Sequence, residues 1–412
     1  MLNYLKTALS EEYNQVVFAA PLGLVCGINL SLIIAGIHYW IVDLEFSKST
    51  IGLYSILVFP YGMKFLWVPM FNYLNPPFLK SYFGSRKAWM AISILTYGSA
   101  MMYLSYISPT HKFFFPIACF ASLAAASFDA MSVAYNVEVL NPTNYSISSA
   151  AYRFGIVCGS SGILALSNIY SWSALYLIFS IIVLSISSIT LLLSPRSHDN
   201  YRTSNLYDTF IVPYVSFFQK HQSNALFLIT YLAIYKMRER LITPMLTIFL
   251  YEHSITTKAG FTAWKLTATA VGIVSAGFAG VIVKRFQFKK SILFAAMIET
   301  MFILSLLLRN YNFVGKYLIC AMFLIDKSMH GFVTTAIFNY QMLFCEKKHA
   351  SSQSALLTSI ERLTVGMIAS SSSGYIVEML GWNVFLSFIL LLTIPALALL
   401  YALPKEETIR QT

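Results

Sequence analysis

Charge is what this chain has least of. Asp, Glu, Lys and Arg make up 11% of its residues, against roughly a quarter in ordinary soluble domains. Cysteine carries no pattern either. Cys26, Cys119, Cys158, Cys320 and Cys345 are scattered without a CxxC spacing, which argues against a disulfide framework or a metal cluster. The seven His residues are equally dispersed. There is no phosphate-binding glycine loop and no nucleophile-elbow motif, and the longest loop, 194–222, is too short for a catalytic domain. The pattern is that of a non-enzyme, with no cofactor and no metal implied.

What the chain has in abundance is apolar sequence. Hydrophobic residues reach 57%, and runs of about 18 or more recur, each long enough to cross a bilayer as a helix. The expected class is an all-α integral membrane protein. Twelve spans are predicted, at 16–41, 50–73, 88–108, 113–138, 146–170, 172–193, 223–250, 260–283, 291–308, 313–344, 353–378 and 382–403. The first run is too long for a signal peptide and lacks its cleavage pattern, so it is expected to stay as an anchor.

The formal net charge of +11 does not point to nucleic acid, because its distribution follows membrane topology. Fifteen of the 28 Lys and Arg fall in the N-terminus, the C-terminus and the loops that share their side, against five in the opposite loops or, for Lys316, at the edge of one. The positive-inside rule then places both termini in the cytoplasm. The remaining eight lie within predicted spans.

The segment 194–222 divides the spans six and six, giving an N-terminal half (1–193), a cytoplasmic linker and a C-terminal half (223–412). Within the linker, DTFIVPYVSFF is expected to lie on the membrane surface. The halves show weak internal symmetry. Lys64 and Lys265, Asp129 and Asp326, and Arg153 and Arg362 fall in corresponding spans, each pair separated by about 200 residues, as two diverged copies would be. Paired six-helix halves of this kind describe the major facilitator fold, whose site lies near the bilayer midplane between the halves. Gly155 and Gly159, and Gly272, Ala276 and Gly280, repeat small residues every four positions. That spacing lets helices approach closely, either within a half or at a moving contact.

A charged side chain at a helix centre costs about 2.5–3.5 kcal/mol on insertion scales, so it is paired, snorkels or lines a wet cavity. The run YKMRER, 235–240, places three basic residues and one acid in the middle of an apolar span. Lys236, Glu239 and Arg240 share one helix face, while Arg238 points about 160° away from Lys236 and needs another partner. Asp326 and His330 also share a face, with Lys327 adjacent. With Glu138, Lys316 and Glu378 set aside at span ends, eight basic span residues (Lys64, Arg153, Lys236, Arg238, Arg240, Lys265, Lys327, Arg362) oppose five acidic ones (Asp129, Glu239, Glu299, Asp326, Glu361). A cavity of that sign favours an anionic solute. Glu299 has no charged neighbour along its helix and reads as a structural hydrogen-bonder. The Trp residues, mostly near span ends, fit an interfacial belt.

The stretch 49–90 is similar to the second span and following loop of the AmpG family of muropeptide permeases. The matching residues are Ile51-Gly52-Leu53, Pro60-Tyr61, Lys64-Phe65-Leu66-Trp67, Pro69, Pro76-Pro77, Gly84, Arg86 and Trp89. Asn72-Tyr73 stands where that family has an Asp-Arg pair. FDAMSVAYNVEVL (128–140) resembles another family element, keeping Asp129, Ala134, Tyr135 and Leu140. Phe128, Val133 and Asn136 replace the usual Gln, second Asp and Arg. Further matches are Tyr152-Arg153, Gly155, Tyr235-Lys236, SSQSALLTSI (351–360) and Gly381-Trp382, with Arg238-Glu239 where Gly-Asp is usual.

The resemblance runs from about residue 20 to 403. It implies a bacterial inner-membrane, proton-coupled importer of anhydromuropeptides, which are sugar-peptides bearing several carboxylates. The partners would be an anionic solute, protons and the lipid bilayer, with no nucleic acid and no obligate protein partner. Lys64, Tyr152, Arg153, Tyr235, Lys236 and Lys265 are the candidate substrate-binding residues. Asp129, Glu239, Asp326 and Glu361 are the candidates for proton coupling. Transport of another organic anion (acetyl-CoA-like, or a nutrient) and a non-transporting receptor or scaffold remain as alternatives.

Overall fold

A computed structural model describes residues 2–46, 54–74, 76–141, 144–196, 205–253, 258–360, 368–405 and 409. The described residues are almost wholly helical. The long helices are α1 (Leu2–Ser31), α2 (Ser85–Tyr106), α3 (Phe114–Val139), α4 (Tyr145–Val157), α5 (Trp172–Leu193), α6 (Ser223–Glu252), α7 (Lys258–Phe286), α8 (Phe288–Asn310), α9 (Lys316–Leu343), α10 (Ala350–Ile360) and α11 (Ile368–Ala402). Among the described residues, seven helices are long and apolar enough to cross a membrane: Val17–Asp43, Phe114–Val139, Tyr145–Leu166, Trp172–Leu193, Thr267–Phe286, Phe288–Asn310 and Ser372–Ala402. The helices α6 and α9 are as long, at 30 and 28 residues, but carry charge in their middle turns.

The predicted span 50–73 is not one helix. It breaks into the turns and short helices Ser55–Val58, Phe59–Met63, Lys64–Leu66 and Met70–Tyr73. Pro60 and Pro69 lack the amide proton that a continuous helix requires and crowd the preceding turn, so the segment restarts at each. Similarly, α11 contains Gly381 at φ 74°, where the helix is interrupted and restarted. Glycine takes that left-handed backbone without a side-chain penalty. Gly84, at φ 78°, does the same at the start of α2.

The chain forms two compact units, Met1–Tyr214 with Cys345–Leu356, and Val215–Phe344 with Leu357–Thr412. The boundary at 214/215 falls within 194–222, where the short helices Leu206–Phe210 and Val212–His221 lie. The segment 345–356, expected in the C-terminal half, belongs to the first unit. It is held there by Arg86, which donates to the Lys347 carbonyl, by Gln353 Nε2, 3.0 Å from the Pro213 carbonyl, and by buried Ala355.

Each unit packs its helices in a similar order. In the first, α1 lies on α4 and α2 packs on both α3 and α5; in the second, α6 lies on α11 and α8 packs on both α9 and α11. The broken 55–66 segment lies against α3, as α7 lies against α9. Close backbone approach explains the glycine spacings. A Cβ on Gly27 would meet the Tyr152 carbonyl oxygen at 2.0 Å, and one on Gly155 the Leu24 oxygen at 2.2 Å. In the second unit a Cβ on Gly331 would meet the Gly272 oxygen at 2.1 Å. Both are contacts within a unit, where small residues let helices pack closely. Helices α1 and α4 each pass into a π-turn, Leu32–Gly36 and Cys158–Gly162, and the two turns touch.

Candidate functional site

In the first unit, Pro60 restarts the chain and the 3-10 turn Lys64–Leu66 aims the Lys64 ammonium inward. It meets Asp129 of α3 at 2.7 Å, with side-chain exposures of 2% and 8%. Cys26, Tyr61 and Ser132 surround this pair. Two expected site residues of different roles, Lys64 for substrate and Asp129 for protons, are thus each other's partner. Tyr152 packs against the first core from α4, next to half-buried Arg153. A second buried pair, Arg86 and Glu138 at 2.7 Å, lies beyond the predicted spans' charged centres, at the far end of α3. Arg86 also donates to the Ala134 carbonyl at 2.6 Å.

In the second unit the YKMRER run sends charge in two directions from one helix. On one face, Lys236 Nζ lies 2.9 Å from Glu239 Oε2, and His330 Nε2 of α9 lies 3.7 Å from the other oxygen, Oε1. Asp326, one turn before His330, is 3.1 Å from Lys327. Arg240 adds positive charge near Glu239. On the other face, Arg238 pairs with Glu299 of α8 and donates to Thr393 of α11 at 3.3 Å. Tyr235 donates its hydroxyl to the same carboxylate, 2.9 and 2.8 Å from its two oxygens. The guanidinium lies over the Tyr235 ring, 5.1 Å from its centroid.

Arg238 therefore has the separate partner its helix position demands, and Glu299 is a buried ion-pair and hydrogen-bond acceptor. Tyr235 belongs with Arg238, not with Lys236, because adjacent helical residues point about 100° apart. Of the remaining candidates, Lys265 lies in α7 but its side chain is outside the described residues, as is Glu361. Sequence reading placed His330 beside Asp326 without assigning it a role. The signal was there in its position on α9, but its neighbour Glu239 lies on another helix. Thr393 gave no signal, since a lone Thr in an apolar helix is unremarkable.

The chemistry of this arrangement is exchange of partners. A carboxylate shared by an ammonium and an imidazole has two acceptor oxygens, so its bonding can shift toward either. Loss of one partner from a dry pair is costly, about 3–5 kcal/mol. Incoming charge of the right sign can compensate it. No catalytic constellation is formed by these groups.

The sequence profile of the Major Facilitator Superfamily matches residues 19–367. A Rickettsia bellii (strain RML369-C) protein assigned by name as transporter AmpG 2 is 27% identical over 410 residues, covering 96% of this chain and 98% of its own. A Rickettsia typhi (strain ATCC VR-144 / Wilmington) protein of the same name is 26% identical, covering 90% of each chain. Among solved structures, a single-residue variant of the Escherichia coli fucose:proton symporter FucP superposes with a TM-score of 0.69 at 11% identity, covering 96% of this chain and 100% of its own. That identity speaks for the fold alone. With the sequence profile covering most of its length, this chain belongs to the Major Facilitator Superfamily and is a membrane transporter, not an enzyme.

Proposed function

We propose that this transporter takes up an anionic, anhydromuropeptide-like sugar-peptide across the bacterial inner membrane, driven by protons and working by alternating access. The observation that carries this reading is the ammonium of Lys236, buried in an apolar helix and balanced by one carboxylate, Glu239, which an acidic solute can replace. Around it, Lys236, Arg238, Arg240 and Lys327 outnumber Glu239, Glu299 and Asp326, which favours a negative ligand. The AmpG-named relatives and the motif resemblance support the substrate class.

In this reading Lys64, Tyr152, Arg153, Tyr235, Lys236 and Lys265 form the substrate-binding set, directly or by positioning their neighbours. Asp129, Glu239, Asp326 and Glu361 are the carboxylates available for proton coupling. The chain crosses the bilayer twelve times, in halves 1–193 and 223–412 joined by the linker 194–222, with both termini cytoplasmic. The test is uptake of radiolabelled N-acetylglucosaminyl-1,6-anhydro-N-acetylmuramyl tripeptide into proteoliposomes under an imposed proton gradient. Wild-type protein is expected to accumulate it and Lys236→Ala protein to lose most of that uptake. Correctly folded wild-type protein that takes up none sinks the substrate assignment.

Another organic anion is the second reading, and the substitution of Arg238-Glu239 for the usual Gly-Asp favours it. Competition by unlabelled anions in the same assay separates the two.

A further inference from the structure

We propose that His330 is the proton-carrying group that sets whether Lys236 is available to the solute. The proposal rests on the anionic-solute, proton-driven reading above and goes beyond it by naming the residue that links the two.

The geometry is a carboxylate with one oxygen for each partner. Glu239 Oε2 is 2.9 Å from Lys236 and Oε1 is 3.7 Å from His330. Side-chain exposure rises along the row, from 4% at Lys236 to 17% at Glu239 and 27% at His330. The imidazole is therefore the most exposed member of the row, and Lys236 the most enclosed. At 3.7 Å a neutral imidazole leaves the Glu239 charge to Lys236 and nearby Arg240. An imidazolium would close toward the roughly 2.7–2.9 Å of a charge-assisted bond. Glu239 then shares its charge with one more cation, and the row as a whole gains one positive charge. An anion arriving at Lys236 meets a site already charged to receive it.

The other acidic candidates are less suited to this role. Asp129 is fully committed to Lys64 at 2.7 Å, so protonating it strands a buried ammonium. Glu299 is held by Arg238 and Tyr235 together. Asp326 lies beside Lys327, 3.1 Å away. Imidazole is also the side chain whose ordinary titration falls between about pH 5 and 8.

The groups around the Glu239–His330 contact carry both signs, so the direct carboxylate contact is what favours a proton there. From α6 come Glu239, Lys236 and Arg240. On α9 itself Asp326 is one turn away on the same face, with Lys327 beside it. Behind α6, the Arg238–Glu299 pair joins it to α8 and is within electrostatic reach of Asp326. Helix α7 packs on α9 beside this row, its Ser275 hydroxyl donating to the Ser328 carbonyl at 2.7 Å. During the cycle the imidazole takes a proton from water on the side of higher proton activity. It returns that proton to water on the other side after the anion leaves Lys236.

Two measurements on the full chain test this. In proteoliposomes, the apparent affinity of wild-type protein for the labelled anhydromuramyl tripeptide is expected to improve roughly tenfold as pH falls from about 7.5 to 5.5, an ordinary coupling magnitude. His330→Asn protein is expected to exchange internal for external solute with a weakened, pH-independent affinity and to lose gradient-driven accumulation. A His330→Asn protein that accumulates solute with the wild-type pH profile overturns the proposal.

The second measurement needs no solute. In protein carrying 15N-labelled histidine, the His330 imidazole is followed by NMR through a pH titration. Its midpoint is expected to fall by about one unit, tenfold in proton affinity, on Glu239→Gln. An unmoved midpoint overturns the proposal even if His330→Asn fails to fold. If wild-type protein transports none of the tripeptide, the substrate reading has failed, and this titration alone decides the role of His330.

Discussion

Arg238 and Glu299 form an ion pair between α6 and α8, and the same carboxylate accepts the Tyr235 hydroxyl. This locks one face of α6 to its neighbours while the opposite face carries the Lys236–Glu239–His330 row. Removing one member of a buried pair leaves its partner's charge unsolvated, at a cost of about 3–5 kcal/mol. Arg238→Ala or Glu299→Ala is therefore expected to lower unfolding stability in detergent by that order. The double replacement Arg238→Ala with Glu299→Ala should cost clearly less than the two single changes summed. A thermal double-mutant cycle measures this. Strict additivity would mean that the pair carries no coupling.

Lys64 and Asp129 make a parallel prediction in the first unit. Asp129→Asn leaves an ammonium at 2% exposure without its carboxylate, and about 3–5 kcal/mol of stability should be lost. Adding Lys64→Met should recover most of it. If the pair also serves transport, the doubly substituted protein melts near wild type but takes up no solute. Paired melting and uptake measurements read the two properties separately.

What could be seen from sequence followed helix periodicity. The Lys236–Glu239 contact is an i, i+3 pair on a single helix, so its spacing alone revealed it. The partner of Arg238 was hidden because Glu299 lies on α8, and only tertiary packing sets which helix faces that side. The same limit separated Lys64 from Asp129 into different roles. Each was recognised as a buried charge, but their meeting depends on the turn Lys64–Leu66. The two Pro residues that produce this turn are visible in 50–73, but apolar length alone predicts one continuous span there. The superfamily fold was legible because apolar run length and duplicated charge positions are chain-local signals, whereas the assignment of 345–356 to the first unit is not.

Glycine spacing offers a stability test without charge. A Cβ at Gly27 would lie 2.0 Å from a backbone oxygen of α4, which cannot rotate away. Gly27→Ala is expected to cost about 1–3 kcal/mol through overpacking. Gly315 has nothing within 4 Å of its would-be Cβ, and its backbone, φ −74°, suits any residue. Gly315→Ala should melt within about 0.5 kcal/mol of wild type. Equal effects at the two sites would contradict the close α1–α4 packing.

His349 provides a pH test outside the predicted spans, in the segment 345–356 of the first unit. Burial holds its imidazole below its ordinary value of 6.5, opposed by Glu346 and reinforced by Lys348 and Arg86. The sign follows from proton uptake. As pH falls through about 6.5, the unfolded chain binds a proton at this position before the folded chain does, so stability is lost. At neutral pH both states hold the imidazole uncharged, and this contribution is absent. The unfolding temperature of wild-type protein should therefore decline on acidification from about pH 7 to 5, and His349→Gln should remove part of that decline. Arg86→Gln should lower the unfolding temperature at every pH, because Arg86 also pairs with Glu138. It should nonetheless make the His349 decline smaller, by relieving one of the charges that disfavour the imidazolium. Thermal unfolding of the three proteins across that pH range checks both effects, and a His349→Gln profile identical to wild type would remove His349 as their source.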